Sequence, residues 1–191
     1  MTEKQKIKNK IAVVILQHPQ EPSKELGSAK LAERILENCK IRIGLSWPNL
    51  KSAVQASDKP EGKNWLVLYL GTKKDTKLQP GTSTLQLLSK KGNPISVEQN
   101  EEIISHIRGV ILLDGSWEQA KTMWWRNPWL LKCQRGFLRP KQRSLYGEKR
   151  KEPRPECLST IESIAFSLVE LGESKQTGDH LLESFREFLT Q

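Results

Sequence analysis

One segment of the chain places a carboxylate, a glycine and a hydroxyl directly after an apolar run. Asp114, Gly115 and Ser116 follow the apolar residues 111–113, and the glycine permits a sharp turn because it has no Cβ. Ser116 and Gln119 fit the S-x-x-Q capping box, which predicts that a helix begins here. On one interpretation Asp114 and Ser116 only cap that helix. On the other, Asp114 is a carboxylate beside exposed backbone N–H groups, where it can orient or deprotonate a ligand.

Two other segments place polar residues at the ends of apolar runs. His18 and Glu21 follow the run at residues 11–16, within the pattern His-Pro-x-Glu. A single histidine in such a place is more often a hydrogen-bonded structural residue than a catalytic group. Ser159 and Glu162 form a second capping box before an apolar helical pattern, and helix capping alone is sufficient to explain that segment.

Tryptophans and basic residues are concentrated in one part of the chain. Four of the six Trp lie between residues 117 and 129, and residues 132–154 contain nine basic and two acidic residues, a balance of +7. A charged stretch is usually a solvated face, and the shared helical face of Trp117 and Trp124 is typical of a core. RNA recognition, however, requires cations for the phosphates and aromatic rings for unpaired bases. The combination therefore favours RNA binding. Trp117 itself is not needed for capping, and it either belongs to the core or forms the floor of a pocket.

The composition is that of a globular, basic protein. Of the 191 residues 36% are hydrophobic and 28% charged, and 31 Lys and Arg against 22 Asp and Glu give a net charge of +9. The length favours a single domain, and the excess charge favours an anionic partner. The three cysteines are widely spaced and there are only three histidines, so neither a disulfide framework nor a metal site is expected. A reducing cytoplasm is the expected location. No apolar run approaches the roughly 20 residues of a membrane-spanning helix, so an integral membrane protein is excluded. The position of the basic stretch favours RNA over a membrane surface as the anionic partner.

Apolar runs alternate with helical patterns along the chain. Strands are predicted at residues 11–16, 41–45, 65–70 and 110–113, and helices at 24–39, 98–107, 116–125, 160–171 and 179–189. Residues 49–63 are predicted to be mostly loop, 73–92 loop with some helix, and 132–154 irregular. The alternation predicts an α/β fold with a largely parallel sheet and helices on both faces. We expect residues 11–191 to form one domain after a flexible basic lead-in at 1–10.

The predicted strand ends indicate where a ligand binds. In parallel sheets, ligands bind at the carboxyl ends of the strands, near a topological switch point. Three strand ends are therefore candidate contacts, at residues 17–19, 70–72 and 113–117. Asp114 lies at one of these strand ends, and both interpretations of it, helix cap and ligand contact, remain open at this point.

The motifs occur in an order that is more specific than any one of them. The ordered set is His18-Pro19-x-Glu21, Ile41-Arg42-Ile43-Gly44, Asp114-Gly115-Ser116-Trp117, Arg150-x-x-Pro153 and Leu158-Ser159-Thr160-Ile161-Glu162. With this set the chain resembles the DTW-domain family, whose signature is D-x-S/T-W and which ends in an R-x-x-P and L-S-T-x-E segment. The resemblance extends from about residue 11 to residue 171.

The resemblance implies a tRNA-uridine aminocarboxypropyltransferase that uses S-adenosylmethionine. Such an enzyme moves the 3-amino-3-carboxypropyl group to N3 of a uridine and releases methylthioadenosine, without a metal. The implied fold is SPOUT-like, with a trefoil knot towards the C-terminus. Asp114 is the implied catalytic residue, and we expect a monomer. The implied cofactor contacts are Leu70, Gly71, Thr72, Leu113, Gly115, Ser116, Trp117, Leu158, Ser159 and Thr160. The implied contacts to the uridine and the RNA are His18, Glu21, Trp124, Arg135, Arg139, Lys141, Arg143 and Arg150.

This sequence departs from the family pattern in two ways. Many members carry a Cys-rich N-terminal segment that this sequence lacks, and Ser116 stands where Thr is commoner.

Two alternative functions remain. One alternative is an RNA methyltransferase with the same cofactor, although no G-x-G-x-x-G follows the first predicted strand. The other is a non-catalytic RNA-binding module, which the basic stretch and the tryptophans alone would support.

Overall fold

A six-stranded sheet forms the centre of the protein. A computed structural model describes residues 6–21, 27–68, 84–138, 144–145 and 158–190. Its strands are β1 (Ala12–Gln17), β2 (Cys39–Ile43), β3 (Trp65–Leu68), β4 (Leu85–Leu88), β5 (Gly109–Asp114) and β6 (Gln134–Leu138). They lie in the order β2-β1-β5-β3-β6-β4. Only the edge pair β4 and β6 is antiparallel, so the prediction of a largely parallel sheet is confirmed.

Helices cover both faces of this sheet. They are α1 (Ser28–Ile35), α2 (Leu50–Val54), α3 (Val97–His106), α4 (Trp117–Arg126), α5 (Thr160–Glu170) and α6 (Lys175–Thr190), with 3-10 turns at Gly62–Asn64 and Pro128–Lys132. One buried cluster packs Ile15 and Leu112 of the sheet against α1, α5 and α6. A second cluster on the other face packs Leu16 and Ile111 against α2 and the turn around Leu130. None of the helices in the described ranges has both the length and the apolar composition needed to cross a membrane.

Two strands were not expected from the sequence. Residues 73–92 were predicted as loop with some helix and 132–154 as irregular, but β4 and β6 lie within them. β6 contains a glycine and an arginine, which weaken its strand pattern. The glycine is needed, because a Cβ at Gly136 would lie 3.0 Å from a methyl group of Leu87 and 3.1 Å from one of Leu66. Both predictions were wrong for these residues. β4 and β6 gain their stability from pairing with neighbouring strands, which a local sequence pattern does not show.

Other elements also differ from prediction, since the helix predicted at 24–39 ends at Ile35 and the strand predicted at 41–45 is Cys39–Ile43. Asn49 caps α2 by accepting a hydrogen bond from the backbone N–H of Ser52 at 2.9 Å, so the predicted loop at 49–63 begins with a short helix. The last helix begins at Lys175, four residues before its predicted start, and Gly178 lies inside it. A Cβ at Gly178 would lie 2.6 Å from a methyl group of Val169 on α5. Glycine permits this close helix pair and does not end the helix.

Part of the predicted lead-in is packed on the domain. Ile7 exchanges backbone hydrogen bonds with the end of α1, from its own N–H to Ile35 O at 2.8 Å and from Glu37 N–H at 2.9 Å. Glu173 accepts from the backbone N–H groups of Lys10 at 2.5 Å and Ile11 at 2.8 Å. The implied SPOUT-like fold and trefoil knot stay predictions, because the path from β6 to α5 lies mostly outside the described residues.

Candidate functional site

The carboxyl ends of β1 and β5 lie side by side at a topological switch point. β1 pairs with β2 on one side and with β5 on the other. The chain leaves β1 through α1 towards β2, and it leaves β5 through α4 in the opposite direction, towards β6. The two connections therefore diverge, which opens a crevice at this edge of an α/β sheet.

Asp114 is the last residue of β5, and its carboxylate lies at this edge. Gln17 Nε2 donates to Asp114 Oδ2 at 2.7 Å, and Thr160 Oγ1 donates to Oδ1 at 2.5 Å. The backbone carbonyl of Asp114 accepts from the N–H of His18 at 2.9 Å. Three elements thus fix one carboxylate: β1, β5 and the start of α5. Each carboxylate oxygen retains a further lone pair for a ligand.

The turn after Asp114 has the predicted capping box. Ser116 Oγ accepts from the N–H of Gln119 at 3.3 Å, and the N–H of Ser116 donates to Gln119 Oε1 at 2.6 Å. A Cβ at Gly115 would lie 3.0 Å from Cβ of Gln119 and 3.3 Å from Cβ of His18. Glycine therefore allows the β1 and β5 exits to approach closely. Ser116 is the cap, whereas the Asp114 side chain is bonded to Gln17 and Thr160.

The second capping box brings the start of α5 to the same edge. The N–H of Glu162 donates to Ser159 Oγ at 3.3 Å, and Glu162 Oε2 accepts from the N–H of Ser159 at 2.9 Å. The Glu162 carboxylate also accepts from Ser144 Oγ at 2.7 Å and from the N–H of Leu145 at 2.6 Å. Glu162 is 1% exposed, and these bonds satisfy a charge that burial would otherwise penalise. It fixes the helix end that presents Thr160 to Asp114.

His18 and Glu21 form a tight turn beside Asp114. The N–H of Glu21 donates to the carbonyl of His18 at 2.9 Å, and His18 Nδ1 accepts from the N–H of Gln20 at 3.3 Å. Gln20 in turn accepts from Gln119 Nε2 at 3.0 Å, which joins this turn to α4. The family resemblance implies that His18 and Glu21 contact the uridine, and this contact stays a prediction.

The predicted RNA contacts occupy different environments. Trp124 is partly buried and packs against the second buried cluster. Arg135 lies near the amino end of β6, opposite Val67 of β3. Its guanidinium donates to the backbone carbonyls of Ser89 at 2.8 Å and Lys90 at 2.6 Å. Trp125, which the sequence did not single out, is 72% exposed. The predicted contacts outside the described residues are Leu70, Gly71, Thr72, Arg139, Lys141, Arg143 and Arg150.

An open groove at the opposite, amino-terminal edge of the sheet is separate from this site. Residues 56–61 line it together with Asn64, Trp65 and Arg108. Parallel sheets bind ligands at their carboxyl edge, so Asp114 marks the candidate site. Within the described ranges no group of three or more His, Cys, Asp or Glu side chains is placed to hold a metal ion.

Two of the cysteines are too deeply buried to act as nucleophiles. Burial, with a smaller contribution from the Glu33 carboxylate, raises the pKa of Cys39 from 9.0 to about 12. Burial raises the pKa of Cys133 from 9.0 to about 12 as well. Because the thiolate is the reactive form, both groups are inert near neutral pH.

Alkylation of the folded protein tests this conclusion. In a Cys157→Ser variant, which leaves only Cys39 and Cys133, iodoacetamide at pH 8 should label each thiol about 1,000-fold more slowly than in urea, because the thiolate fraction falls tenfold per pKa unit. Peptide mass spectrometry measures both rates. Folding keeps both thiols protonated, so the free energy of unfolding should fall as pH rises from 9.0 towards about 12. Equal labelling in the folded and unfolded protein would contradict the burial of these thiols.

The fold defines an α/β protein whose candidate ligand site lies at a topological switch point. A family model described as the DTW domain matches residues 1–191. The chain therefore belongs to the DTW-domain family, which is the family of the tRNA-uridine aminocarboxypropyltransferases. A search of curated proteins and a search of solved structures each gave no match.

Proposed function

We propose that this protein transfers the 3-amino-3-carboxypropyl group of S-adenosylmethionine to N3 of a uridine in tRNA. The observation that carries the proposal is the Asp114 carboxylate, which Gln17 and Thr160 fix at the switch point through bonds of 2.7 and 2.5 Å. The DTW family supports a tRNA-modifying transferase. A fixed acceptor at a ligand crevice is what abstraction of a proton from uridine requires.

The residues at the crevice fit the proposed donor molecule. Gly115 has no side chain of its own at the close approach of the β1 and β5 exits, where the side chains of His18 and Gln119 lie beside it. The backbone of residues 113–117 and of Leu158, Ser159 and Thr160 would hold the adenosyl and methionyl parts. The Asp114 carboxylate and the half-exposed indole of Trp117 would favour the positive sulfonium. When bound, S-adenosylmethionine supplies an electrophilic carbon beside a sulfonium, which leaves as neutral methylthioadenosine.

Asp114 has the geometry to hold and remove the uridine proton. A free lone pair of its carboxylate accepts the N3–H and takes that proton as N3 forms its new bond to carbon. Thr160 and Gln17 restrict rotation of the carboxylate, so that this lone pair keeps one direction. The turn of His18 and Glu21 would border the uridine.

The outer face of α4 is suited to unpaired bases. Trp117 is 50% exposed and Trp125 is 72% exposed, and both lie four residues from the exposed Lys121. Residues at this spacing share one face of a helix. Two aromatic rings with a cation between them form a stacking surface for single-stranded RNA, and the net charge of +9 favours the phosphates. We therefore place tRNA on this face, next to Asp114.

Trp125→Ala should weaken tRNA binding without destabilising the fold. Loss of one stacked base is worth about 1–3 kcal/mol, which is about a 5- to 150-fold increase in Kd. Filter binding at one fixed salt concentration measures the Kd. Trp125→Phe should retain most of the affinity because the ring remains. Val97→Ala removes a 51% exposed apolar side chain from α3 and should leave the Kd unchanged. An unchanged Kd for Trp125→Ala would remove this face from the interface.

Product analysis tests the proposed reaction against its two alternatives. Incubation with bulk tRNA and S-adenosylmethionine should yield methylthioadenosine, which mass spectrometry identifies. A methyltransferase would yield S-adenosylhomocysteine instead. A non-catalytic RNA-binding module would yield neither and would release no heat when titrated with S-adenosylmethionine. Either of those results would overturn the proposal.

A further inference from the structure

The glutamine beside Asp114 has a buried carbonyl without a partner. Gln17 is 3% exposed, and its Nε2 donates to Asp114 Oδ2 at 2.7 Å. Its Oε1 is buried and makes no hydrogen bond. No other buried side-chain nitrogen or oxygen of the described residues lacks a hydrogen bond. Such an atom is costly in a folded protein and calls for an explanation.

The charge on Asp114 explains the orientation of this amide. An ionised carboxylate only accepts hydrogen bonds, so Gln17 must direct its NH2 group to Asp114. Its carbonyl then points away from Asp114 and makes no hydrogen bond. A protonated carboxyl group, in contrast, is a donor and needs an acceptor. The carbonyl of Gln17 is such an acceptor, on the same amide and already beside Asp114.

We propose that Gln17 is a positioning residue that serves both protonation states of Asp114. When Asp114 is ionised, Nε2 donates to Oδ2, as observed. When Asp114 carries a proton, a half-turn of the amide brings Oε1 to the place of Nε2, where it accepts the carboxyl O–H. Thr160 remains on the other oxygen, Oδ1, so the carboxyl group keeps its orientation through the change.

The role in the reaction rests on the proposed function. There, the N3–carbon bond forms, the sulfur–carbon bond breaks with its electron pair left on sulfur, and the N3 proton moves to Asp114. N3 then carries carbon in place of its proton and no longer offers a lone pair to the carboxyl O–H. The carbonyl of Gln17 supplies the replacement acceptor, so the proton is held away from the product until solvent removes it.

Four other titratable groups lie at the ends of the described elements that meet at Asp114, and Lys121 follows about one turn into α4. His18 and Glu21 follow β1, Glu118 is in the first turn of α4, and Glu162 is in the first turn of α5. Glu162 is bonded to its cap and to residues 144–145, and His18 Nδ1 accepts from a backbone N–H. The side-chain partners of the Asp114 carboxylate remain Gln17 and Thr160.

An NMR titration of the full chain tests this inference without relying on catalysis. The chain has only four aspartates, Asp58, Asp75, Asp114 and Asp179, so carboxyl-labelled aspartate gives few signals, and Asp114→Asn identifies the relevant one. In the wild type, the side-chain amide signals of Gln17, identified with Gln17→Met, should shift with the same midpoint as Asp114. Signals of Gln17 that do not follow this titration would overturn the inference, and sequential assignment of the wild-type spectrum identifies both residues where a variant does not fold.

Two variants separate the dual role from simpler ones. Gln17→Met keeps the chain length but removes donor and acceptor together, so the Asp114 midpoint should move by less than about 0.5 pH unit, since the two contributions oppose each other. Single-turnover transfer should nevertheless fall about tenfold, with KM for S-adenosylmethionine unchanged. Gln17→Glu should raise the midpoint by about one unit or more, because a like charge lies beside Asp114.

Two results for Gln17→Met would contradict the dual role of Gln17. A larger upward shift in Gln17→Met would show that Gln17 serves only the ionised form, and wild-type transfer by that variant would show that it positions nothing. If the wild-type protein transfers no group at all, the proposed function fails, while the NMR comparison still decides the role of Gln17.

Discussion

Asp114→Asn is expected to lower the rate of transfer to tRNA by about 100- to 10,000-fold, the range that a general base contributes. Asparagine keeps the shape of the side chain, and its oxygen still accepts from Thr160, but it cannot take the uridine proton. The melting temperature and circular dichroism should therefore stay close to those of the wild type. Single-turnover assays at saturating tRNA and S-adenosylmethionine measure the chemical step directly.

Asp179→Asn is the matched control for this variant. Asp179 is an exposed aspartate on α6, so its replacement makes the same chemical change far from the crevice and should leave the rate unchanged. The Kd of Asp114→Asn for tRNA should stay within a few fold of the wild type, while saturating S-adenosylmethionine compensates for the lost attraction of the carboxylate to the sulfonium. A near-normal rate for Asp114→Asn would remove this residue from the mechanism.

Gly109→Ala is expected to destabilise the domain by about 2–3 kcal/mol, at the upper end for overpacking in a core. Gly109 begins β5 between Ala12 of β1 and Trp65 of β3. An added Cβ would overlap the indole of Trp65, with one ring carbon at 2.7 Å. Trp65 is only 8% exposed, so the ring has little room to move away. Urea denaturation, followed by circular dichroism, measures the loss.

A double-mutant cycle with Trp65→Leu tests the stated cause. In the Trp65→Leu background the indole is gone, so adding Gly109→Ala should cost at least about 1 kcal/mol less than in the wild type. Equal losses in both backgrounds would show that strain in the backbone of β5, rather than contact with Trp65, explains the effect.

Local signals in the sequence predicted much of the frame of the site. Both capping boxes form as predicted, because each depends on residues three positions apart. Apolar runs placed β1 and β5 within a residue or two of their limits. Asp114 could be singled out since its strand, its glycine turn and its helix cap are consecutive in the chain.

Features that depend on distant residues were not predictable in this way. Gln17 reaches Asp114 only because β1 and β5 pair in register, and the two residues are 97 positions apart. The clearest sequence signal for Gln17 is a polar residue at the end of an otherwise apolar strand. β6 gains its stability from β3 and β4 on either side, which a short segment with a glycine does not reveal.

The tryptophans of α4 illustrate a different difficulty. Trp124 and Trp125 are neighbours in sequence, and one residue along a helix is a rotation of about 100°. The RNA contact predicted for Trp124 stays a prediction; this ring is partly buried against the second cluster, whereas Trp125 is 72% exposed. Which of two adjacent aromatic residues faces solvent depends on how the helix lies on the sheet.

A two-label experiment shows which group of S-adenosylmethionine this protein transfers. One sample of S-adenosylmethionine carries its label in the carboxyl carbon and a second carries it in the methyl group, and each is incubated with the protein and bulk tRNA. We expect carboxyl label to enter tRNA and methyl label to stay in the small-molecule product. Methyl label in tRNA, with carboxyl label left in solution, would contradict the proposed function.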